Sequence, residues 1–166
     1  MATTTRARRS TTALLVVSGA VVLADWATKV LATVALDARS IDLGTVIALR
    51  LSHNSGVAFG MGDRLSGRVV IALTAAVTVV LAVAALRGAF ASPTAAGLVL
   101  GGAVANLGDR ILGGSVVDFI DVGWWPSFNL ADAALTISCL LLVVVSWRTP
   151  AGGGPTETVP NDDEQR

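Results

Sequence analysis

Long apolar segments alternate with polar ones along this chain, and four of the apolar segments have the length of a membrane-spanning helix. A helix needs about 20 mostly apolar residues to cross the hydrocarbon core of a bilayer. The first segment also carries Asp25 and Lys29, which are four residues apart and so share one helix face. The pattern predicts an all-α membrane protein whose four transmembrane helices cover residues 12–34, 68–87, 94–112 and 131–148.

The two segments that follow the first and third helices, 35–67 and 113–130, are predicted to lie on the same side of the membrane. In the first of them, residues 41–43 and 45–51 are rich in β-branched and aliphatic side chains that partly alternate with polar ones. Such patterns are typical of short strands. We therefore expect a small β-like extracytoplasmic element between helices 1 and 2, and an outer loop between helices 3 and 4.

Small and aromatic residues add two local predictions. Gly101 and Gly102 in the third helix are expected to permit close contact with neighbouring helices, as small residues do in membranes. Trp124 and Trp125 in the second outer segment fit an anchor at the membrane–water interface. Guidance of a lipid chain is a second interpretation of this tryptophan pair.

Arginines in the short flanks indicate the orientation of the helices. Arg6, Arg8 and Arg9 precede the first helix, Arg87 lies between the second and third, and Arg148 follows the fourth. By the positive-inside rule these flanks are cytoplasmic. We expect a cytoplasmic N-terminal segment over residues 1–11, one membrane domain over 12–148 and a disordered cytoplasmic tail over 149–166. The first apolar segment is interpreted as an uncleaved helix rather than a removed signal peptide.

Composition narrows the chemistry. Only 14% of the 166 residues are charged and the mean hydropathy is +0.70, against about a quarter charged in soluble domains. The net charge of zero argues against a nucleic-acid partner. One cysteine, Cys139, and one histidine, His53, leave neither an intramolecular disulfide nor a zinc site of the usual type. Any chemistry is left to carboxylates, amides, hydroxyls and arginine.

Acidic residues cluster near the ends of the third and fourth helices. Asp118 follows the third helix and Asp132 begins the fourth, so both are predicted at one membrane face. Two carboxylates that share a water molecule split their pKa values, and one then acts as base while the other acts as acid. Spacing alone does not separate these two residues from Asp109 and Asp121. It predicts a cluster of acids and not a defined pair.

Five blocks of sequence carry a resemblance to a known family. Together they resemble signal peptidase II, the lipoprotein signal peptidase family of membrane aspartic peptidases, although Ala105 stands where that family commonly has glycine. The blocks are Asp25-Trp-Ala-Thr-Lys29, Asn54-Ser-Gly-Val-Ala-Phe-Gly60, Gly101-Gly-Ala-Val-Ala-Asn-Leu-Gly-Asp-Arg110, Val116-Val-Asp-Phe-Ile-Asp121 and Trp125-Pro-Ser-Phe-Asn-Leu-Ala-Asp132.

The resemblance implies roles for particular residues. It implies that Asp118 and Asp132 are the catalytic pair. Asn129 also precedes Asp132 by three residues, a spacing that predicts a cap at the start of the fourth helix. The residues implied to bind substrate or to support the pair are Asn54, Gly56, Asn106, Arg110, Asn129, Asp25, Lys29 and Asp109.

The resemblance also implies the reaction and its setting. The expected activity is removal of the signal peptide from diacylglyceryl-modified prolipoproteins, by cleavage just before the lipidated cysteine, at a site near the outer leaflet of the cell membrane. Substrate and membrane lipids are the expected partners, with no metal, no cofactor and no required oligomer. Two other interpretations stay open: a small transporter or proton relay, because intramembrane charges also mark ion pathways, and a non-catalytic membrane assembly factor.

Overall fold

The computed structural model describes residues 2–37, 39–56 and 66–148. Four helices and three strands are present in this part of the chain. In chain order they are α1 Ala2–Ala35, β1 Ser40–Asp42, β2 Ala48–Asn54, α2 Gly67–Leu86, α3 Pro93–Gly113, β3 Val116–Asp121 and α4 Leu130–Arg148. The predicted tail 149–166 and the second half of the Asn54–Gly60 block lie outside the described residues.

All four helices contain a stretch that is long and apolar enough to cross a membrane, so the predicted four-helix membrane fold is confirmed. α1 begins at Ala2 and thus extends into the predicted N-terminal segment 1–11. The stretches are Ser10–Ala35, Gly67–Leu86, Pro93–Gly113 and Leu130–Trp147.

α3 lies at the centre of the bundle and contacts each of the other three helices. Glycine permits these contacts. A Cβ added to Gly101 would lie 2.8 Å from the Ser18 carbonyl oxygen in α1, and one added to Gly102 would lie 2.7 Å from the Ala131 carbonyl oxygen in α4. The close packing predicted for these glycines is confirmed, and Gly97 faces α1 in the same way.

Local sequence explains where α3 begins and ends. Ser92 is its N-cap and accepts a hydrogen bond from the Ala95 N–H, and Pro93 occupies the first turn, where a missing N–H costs nothing. Gly114, with a φ of 75°, takes the left-handed conformation that ends many helices. The chain therefore turns sharply out of α3 and enters β3 two residues later.

The strands form one antiparallel sheet in the order β1-β2-β3. β1 and β2 confirm the predicted element between helices 1 and 2. β3 lies in the segment that was predicted as a loop, and that prediction was wrong. Its hydrophobic pattern is too short to identify a strand without its partner β2, which precedes it by more than 60 residues. Val116 and Asp118, two positions apart, are the buried residues of β3.

A backbone connection fixes the start of α4 beside β3. The Phe128 N–H donates to the Ile120 carbonyl oxygen at 3.0 Å, and the Ile120 N–H donates back to the Phe128 oxygen at 2.9 Å. Asn129 follows immediately and is fully buried. The sheet and the fourth helix are thereby joined at the place where the predicted site residues meet.

Candidate active site

Asp118 lies on the buried face of β3, with 1% of its surface exposed. Its Oδ1 accepts a 2.7 Å hydrogen bond from Asn129 Nδ2. Burial raises the pKa of the Asp118 carboxyl above its usual range, and the negative charge of Asp132 raises it further. Hydrogen bonding by Asn54 and Asn129 and the charge of Lys29 oppose this rise. The neutral form of Asp118 is therefore favoured more than in water.

Asp132 belongs to the first turn of α4 and is held by a reciprocal cap. Asn129 Oδ1 accepts from the Asp132 N–H at 2.9 Å, while Asp132 Oδ2 accepts from the Asn129 N–H at 3.4 Å. This is the pairing of a capping box, and it satisfies two backbone donors that the helix cannot satisfy itself. The predicted cap by Asn129 is present. The same asparagine thus contacts both carboxylates.

Asn106 in α3 makes a second connection between the two acids. Its Nδ2 donates to Asp132 Oδ1 at 2.7 Å, and its Oδ1 accepts from Asn129 Nδ2 at 3.1 Å. The Oδ1 atom also accepts from Lys29 Nζ at 3.3 Å. Asp118, Asn129, Asn106 and Asp132 therefore form one continuous hydrogen-bonded network drawn from β3, α3 and α4.

An ion-pair group, in which Asp25 and Lys29 are buried and Asp109 is partly exposed, supports this network from α1. Lys29 Nζ pairs with Asp25 Oδ2, its neighbour one helical turn away, and with Asp109 Oδ2 at 2.8 Å. Asp109 Oδ2 also accepts from the Val117 N–H at 3.3 Å, next to Asp118 in β3. Buried charges are tolerated when they are paired and hydrogen-bonded. Here the pairing also fixes the distance between α1, α3 and the strand that carries Asp118.

Arg110 lies one helical turn after Asn106 in α3 and extends the site along that helix. Its Nη1 donates to the Asn106 carbonyl oxygen at 3.2 Å, and its buried Nε has no hydrogen-bond partner among the described residues. Gly56, with a φ of 85°, lies directly against this guanidinium: an added Cβ would be 3.4 Å from Arg110 Nε and 2.6 Å from Val70 Cγ1. Asn54 closes the same turn, because its Oδ1 accepts from the Gly56 N–H at 2.8 Å.

The structure distinguishes among the four acids that the sequence left as one cluster. Asp118 and Asp132 are joined through two asparagines, and Asp109 belongs to the ion-pair group. Asp121 lies outside the network: it accepts from the Gly123 N–H at 2.8 Å and its Oδ2 is 3.7 Å from Arg50 Nη1. The ten predicted site residues all lie in the described part of the chain, and the structure gathers them at one end of the helix bundle.

Three residues that contribute to the site were not found from the sequence: Val117, Ala131 and Val70. The Val117 N–H and carbonyl oxygen bond Asp109 and Asn129, and the Ala131 N–H bonds Asp25. These are backbone groups, which leave no signal in the identity of a side chain. Val70, which limits the space beside Gly56, is one valine among many in α2.

Within the described ranges no group of three or more His, Cys, Asp or Glu side chains is arranged to hold a metal ion.

Comparison with known proteins gives consistent matches. The profile of a family described as signal peptidase (SPase) II matches residues 17–148. A lipoprotein signal peptidase of Rhodococcus jostii (strain RHA1) is 40% identical over 144 residues, which cover 80% of this chain and 71% of the relative. A lipoprotein signal peptidase of Mycobacterium leprae (strain Br4923) is 37% identical over 144 residues, which cover 80% of this chain and 70% of that protein.

The fold is also similar to that of a solved bacterial membrane enzyme, determined by the in meso method at 2.3 Å resolution. The two structures superimpose with a TM-score of 0.69 and 26% sequence identity. The match covers 88% of this chain and 94% of the other.

Proposed function

The chain belongs to the signal peptidase II family, and from this membership and the site geometry we propose that it is a membrane endopeptidase of prolipoproteins. It removes the signal peptide from a precursor whose cysteine already carries a diacylglyceryl group, and it cuts the peptide bond just before that cysteine. Asp118 and Asp132 are the catalytic residues.

One observation carries this proposal: a single buried asparagine contacts both carboxylates. Asn129 donates to Asp118 through its side-chain amide and exchanges two hydrogen bonds with Asp132 through its cap. Two carboxyl groups held by one side chain provide the acid and the base that metal-free hydrolysis of a peptide bond needs. The burial that raises the pKa of Asp118 supports placing the shared proton on that residue.

The proposed reaction uses the two carboxyl groups in different protonation states. Ionised Asp132 takes a proton from water, and the resulting hydroxide attacks the carbonyl carbon of the scissile bond. Neutral Asp118 gives its proton to the carbonyl oxygen as the tetrahedral intermediate forms. The intermediate then collapses, the C–N bond breaks, and the proton held by Asp132 passes to the leaving amine. Asp118 regains its proton as the carbonyl reforms, so the pair returns to its starting state.

A groove among α2, α3 and α4 reaches Asn106, which hydrogen-bonds Asp132, and it suits a peptide. It has a volume of about 350 Å³, and we call it the helix groove. Leu73, Val77 and Leu135 give it apolar walls, and Asn106 and Arg110 line it as well. Arg110 Nε has no partner among the described residues, which supports a role for this guanidinium as donor to a substrate carbonyl, since a buried donor without a partner is costly.

The arrangement of intramembrane charges favours hydrolysis over a transporter or proton relay. A relay needs titratable groups spread through the depth of the membrane. Asp25, Asp109 and Asp132 instead join one network, because Asp25 contacts the first turn of α4 and both Asp25 and Asp109 pair with Lys29.

The chain is a multi-pass membrane protein, and its arginine-containing flanks support a finer placement. We assign both termini to the cytoplasm and the active site to the outer leaflet of the cell membrane, where a lipid-anchored substrate reaches it laterally. Membrane lipid is then the surrounding medium, and one copy of the chain holds the whole site.

Purified protein tests this proposal directly. Wild type is incubated with a lipidated and an unlipidated precursor, with and without a chelator, and is expected to cleave only the lipidated form in both conditions. Asp118→Asn and Asp132→Asn are each expected to lower kcat by about 10²–10⁴-fold. Asp121→Asn is the matched control, because Asp121 lies in the same segment but outside the network. Normal cleavage by either of the first two variants contradicts the dyad.

A further inference from the structure

We infer that a second groove, on the other side of α4, holds an acyl chain of the substrate's lipidated cysteine. Trp124, Trp125, Phe128, Ala133 and Ile137 form its walls, and Asp132 lies at its edge. We call it the aromatic groove. The inference rests on the proposed function and adds to it the position of the lipid.

The size and chemistry of the aromatic groove suit hydrocarbon. Its volume is about 480 Å³, within the range of small-molecule sites. Among the described residues that line it, Asp132 is the one charged residue. Thr136 adds a hydroxyl, but this group donates to the Asp132 carbonyl oxygen at 2.9 Å inside the helix. A ligand in this groove therefore meets apolar and aromatic walls with one carboxylate at the end.

The tryptophan pair indicates that this groove opens at the membrane–water interface, where the polar part of a lipid lies. The two rings contact each other edge to face, with centroids 5.6 Å apart. Trp124 is 79% exposed and Trp125 is 57% exposed, which is high for side chains of this size. Tryptophan prefers the membrane–water interface because its ring is apolar while its N–H needs a polar partner. A diacylglyceryl group has the same division, with polar linkages above two hydrocarbon chains.

α4 separates the aromatic groove from the helix groove, and Asp132 lies where the two approach each other. Leu135 lines the helix groove and Ile137 lines the aromatic groove. Two positions on an α-helix differ by about 200°, so these side chains project to opposite sides. Asp132 lines the aromatic groove while its Oδ1 accepts from Asn106, which lines the helix groove.

The substrate has an apolar group on each side of the bond that is cut. The signal peptide precedes the bond, and the acyl chains of the cysteine follow it. The helix groove contains Asn106 and Arg110, whose donors match peptide carbonyl oxygens. The aromatic groove offers no charged donor among its described lining residues, so it matches an acyl chain. With this assignment the scissile bond crosses from one groove to the other next to Asp132.

Filling the aromatic groove tests the assignment. Ile137→Trp adds bulk where the chain would lie, while Trp125→Ala removes a wall residue from an exposed loop and so spares the helix packing. The matched control, Leu23→Trp, adds the same bulk to an exposed position of α1 that lines neither groove. Each protein is assayed against two precursors of one sequence that carry either long-chain or short-chain diacylglyceryl groups.

The expected result is a loss of affinity that depends on chain length. Each buried methylene contributes to binding, so Ile137→Trp should raise KM for the long-chain precursor by about tenfold or more and for the short-chain precursor by less than about threefold. Trp125→Ala should shift KM in the same direction, with kcat close to wild type. Leu23→Trp should leave both KM values unchanged.

The two proposals fail in different ways. If wild type cleaves the lipidated precursors but Ile137→Trp and Trp125→Ala change KM equally for both chain lengths, or not at all, the aromatic groove does not hold the acyl chain and the proposed function stands. If wild type cleaves neither lipidated precursor, the proposed function is overturned and this assignment with it.

Discussion

Asp25 in α1 accepts a 2.8 Å hydrogen bond on its Oδ1 from the backbone N–H of Ala131 in the first turn of α4. The donors of a first helical turn have no partner within their own helix. In α4 the Asp132 N–H donates to the side chain of nearby Asn129. The N–H one residue earlier, that of Ala131, donates to Asp25, which lies 106 positions before it in the chain. The start of α4, which carries Asp132, is thus fixed both locally and from the first helix. A carboxylate at this end also interacts favourably with the helix dipole.

Substitution of Asp25 is expected to lower the free energy of unfolding, and more so with alanine than with asparagine. Asp25→Ala removes the acceptor for Ala131 and one partner of buried Lys29, which predicts a loss of about 3–5 kcal/mol in the free energy of unfolding. Asp25→Asn keeps an oxygen acceptor but loses the charge, and we expect about 1–3 kcal/mol. The exposed Asp37 is the control, since Asp37→Ala should change stability by less than about 0.5 kcal/mol.

The measurement for Asp25 is unfolding of the detergent-solubilised proteins under one set of conditions. Equal stability of the two Asp25 variants would show that the hydrogen bond to Ala131 contributes nothing beyond the charge.

Two substitutions of Asn129 are expected to separate its contribution to helix capping from its contribution to catalysis. Asn129→Ser retains a side-chain oxygen for the cap, whereas Asn129→Ala does not, so the alanine variant should be less stable than the serine variant by about 1 kcal/mol. Neither variant has an amide to hold Asp118 and Asn106, and a small misplacement of reacting groups is costly. Both should therefore lose about 10- to 100-fold in kcat.

Parallel unfolding and kinetic assays measure these two effects of Asn129 substitution. Near-normal kcat in the serine variant would mean that the cap alone positions the carboxylates and that the amide has no part in it.

Gly56 is expected to be sensitive for a reason that Gly44 does not share. Both have positive φ, 85° and 103°, so alanine at either position costs about 1–2 kcal/mol in backbone strain. At Gly44 an added Cβ meets nothing within 4 Å, but at Gly56 it would approach Val70 Cγ1 to 2.6 Å and Arg110 Nε to 3.4 Å. Gly56→Ala should therefore lose activity as well as stability, while Gly44→Ala should lose stability alone.

A double variant identifies the cause of the Gly56 effect. Val70→Ala removes the nearest clashing atom, so it should restore part of the stability when it is combined with Gly56→Ala. Loss of activity in Gly44→Ala to the same extent as in Gly56→Ala would refute a specific contact with Arg110.

The helices of this fold were predictable because their signals are local. The length of an apolar segment indicates a membrane span, Asn129 three residues before Asp132 indicates a cap, and Gly101 next to Gly102 indicates close helix contact. β3 was not predictable by these means. Its six residues gain their hydrogen bonds from β2, and the pairing includes a register shift between Leu49 and Ser52 that no local pattern specifies.

The residues predicted for the site lie together in the structure, but the sequence did not predict how they are connected. The acids, amides and arginine are identified by residue type and by resemblance to a family. Which carboxylates form a pair depends on bonds between distant elements, such as Asn106 in α3 to Asp132 in α4. Asp121 illustrates the limit, because it is three residues from Asp118 in the same strand and yet bonds Gly123 instead. The reason is the alternation of a strand, which directs residues an odd number apart to opposite faces.

The pH dependence of the reaction should report the protonation of Asp118. Burial and the charge of Asp132 raise the pKa of Asp118, and the proposed reaction needs its neutral form. As pH rises through this raised pKa the proton is lost, so kcat/KM should fall on the alkaline side. Hydrogen bonding by Asn54 stabilises the ionised form and lowers the pKa of Asp118. Asn54→Ala should therefore raise that pKa and move the alkaline limb to higher pH, whatever its effect on the maximal rate.

The neighbouring His53 supplies the control for this pH profile, because it is an exposed titratable side chain next to Asn54 in β2. The measurement is kcat/KM for the lipidated precursor across pH in wild type, Asn54→Ala and His53→Gln. His53→Gln should leave the alkaline limb where it is in wild type. A limb that moves in His53→Gln and stays fixed in Asn54→Ala would assign the titration to the histidine and remove Asp118 from the role of proton donor.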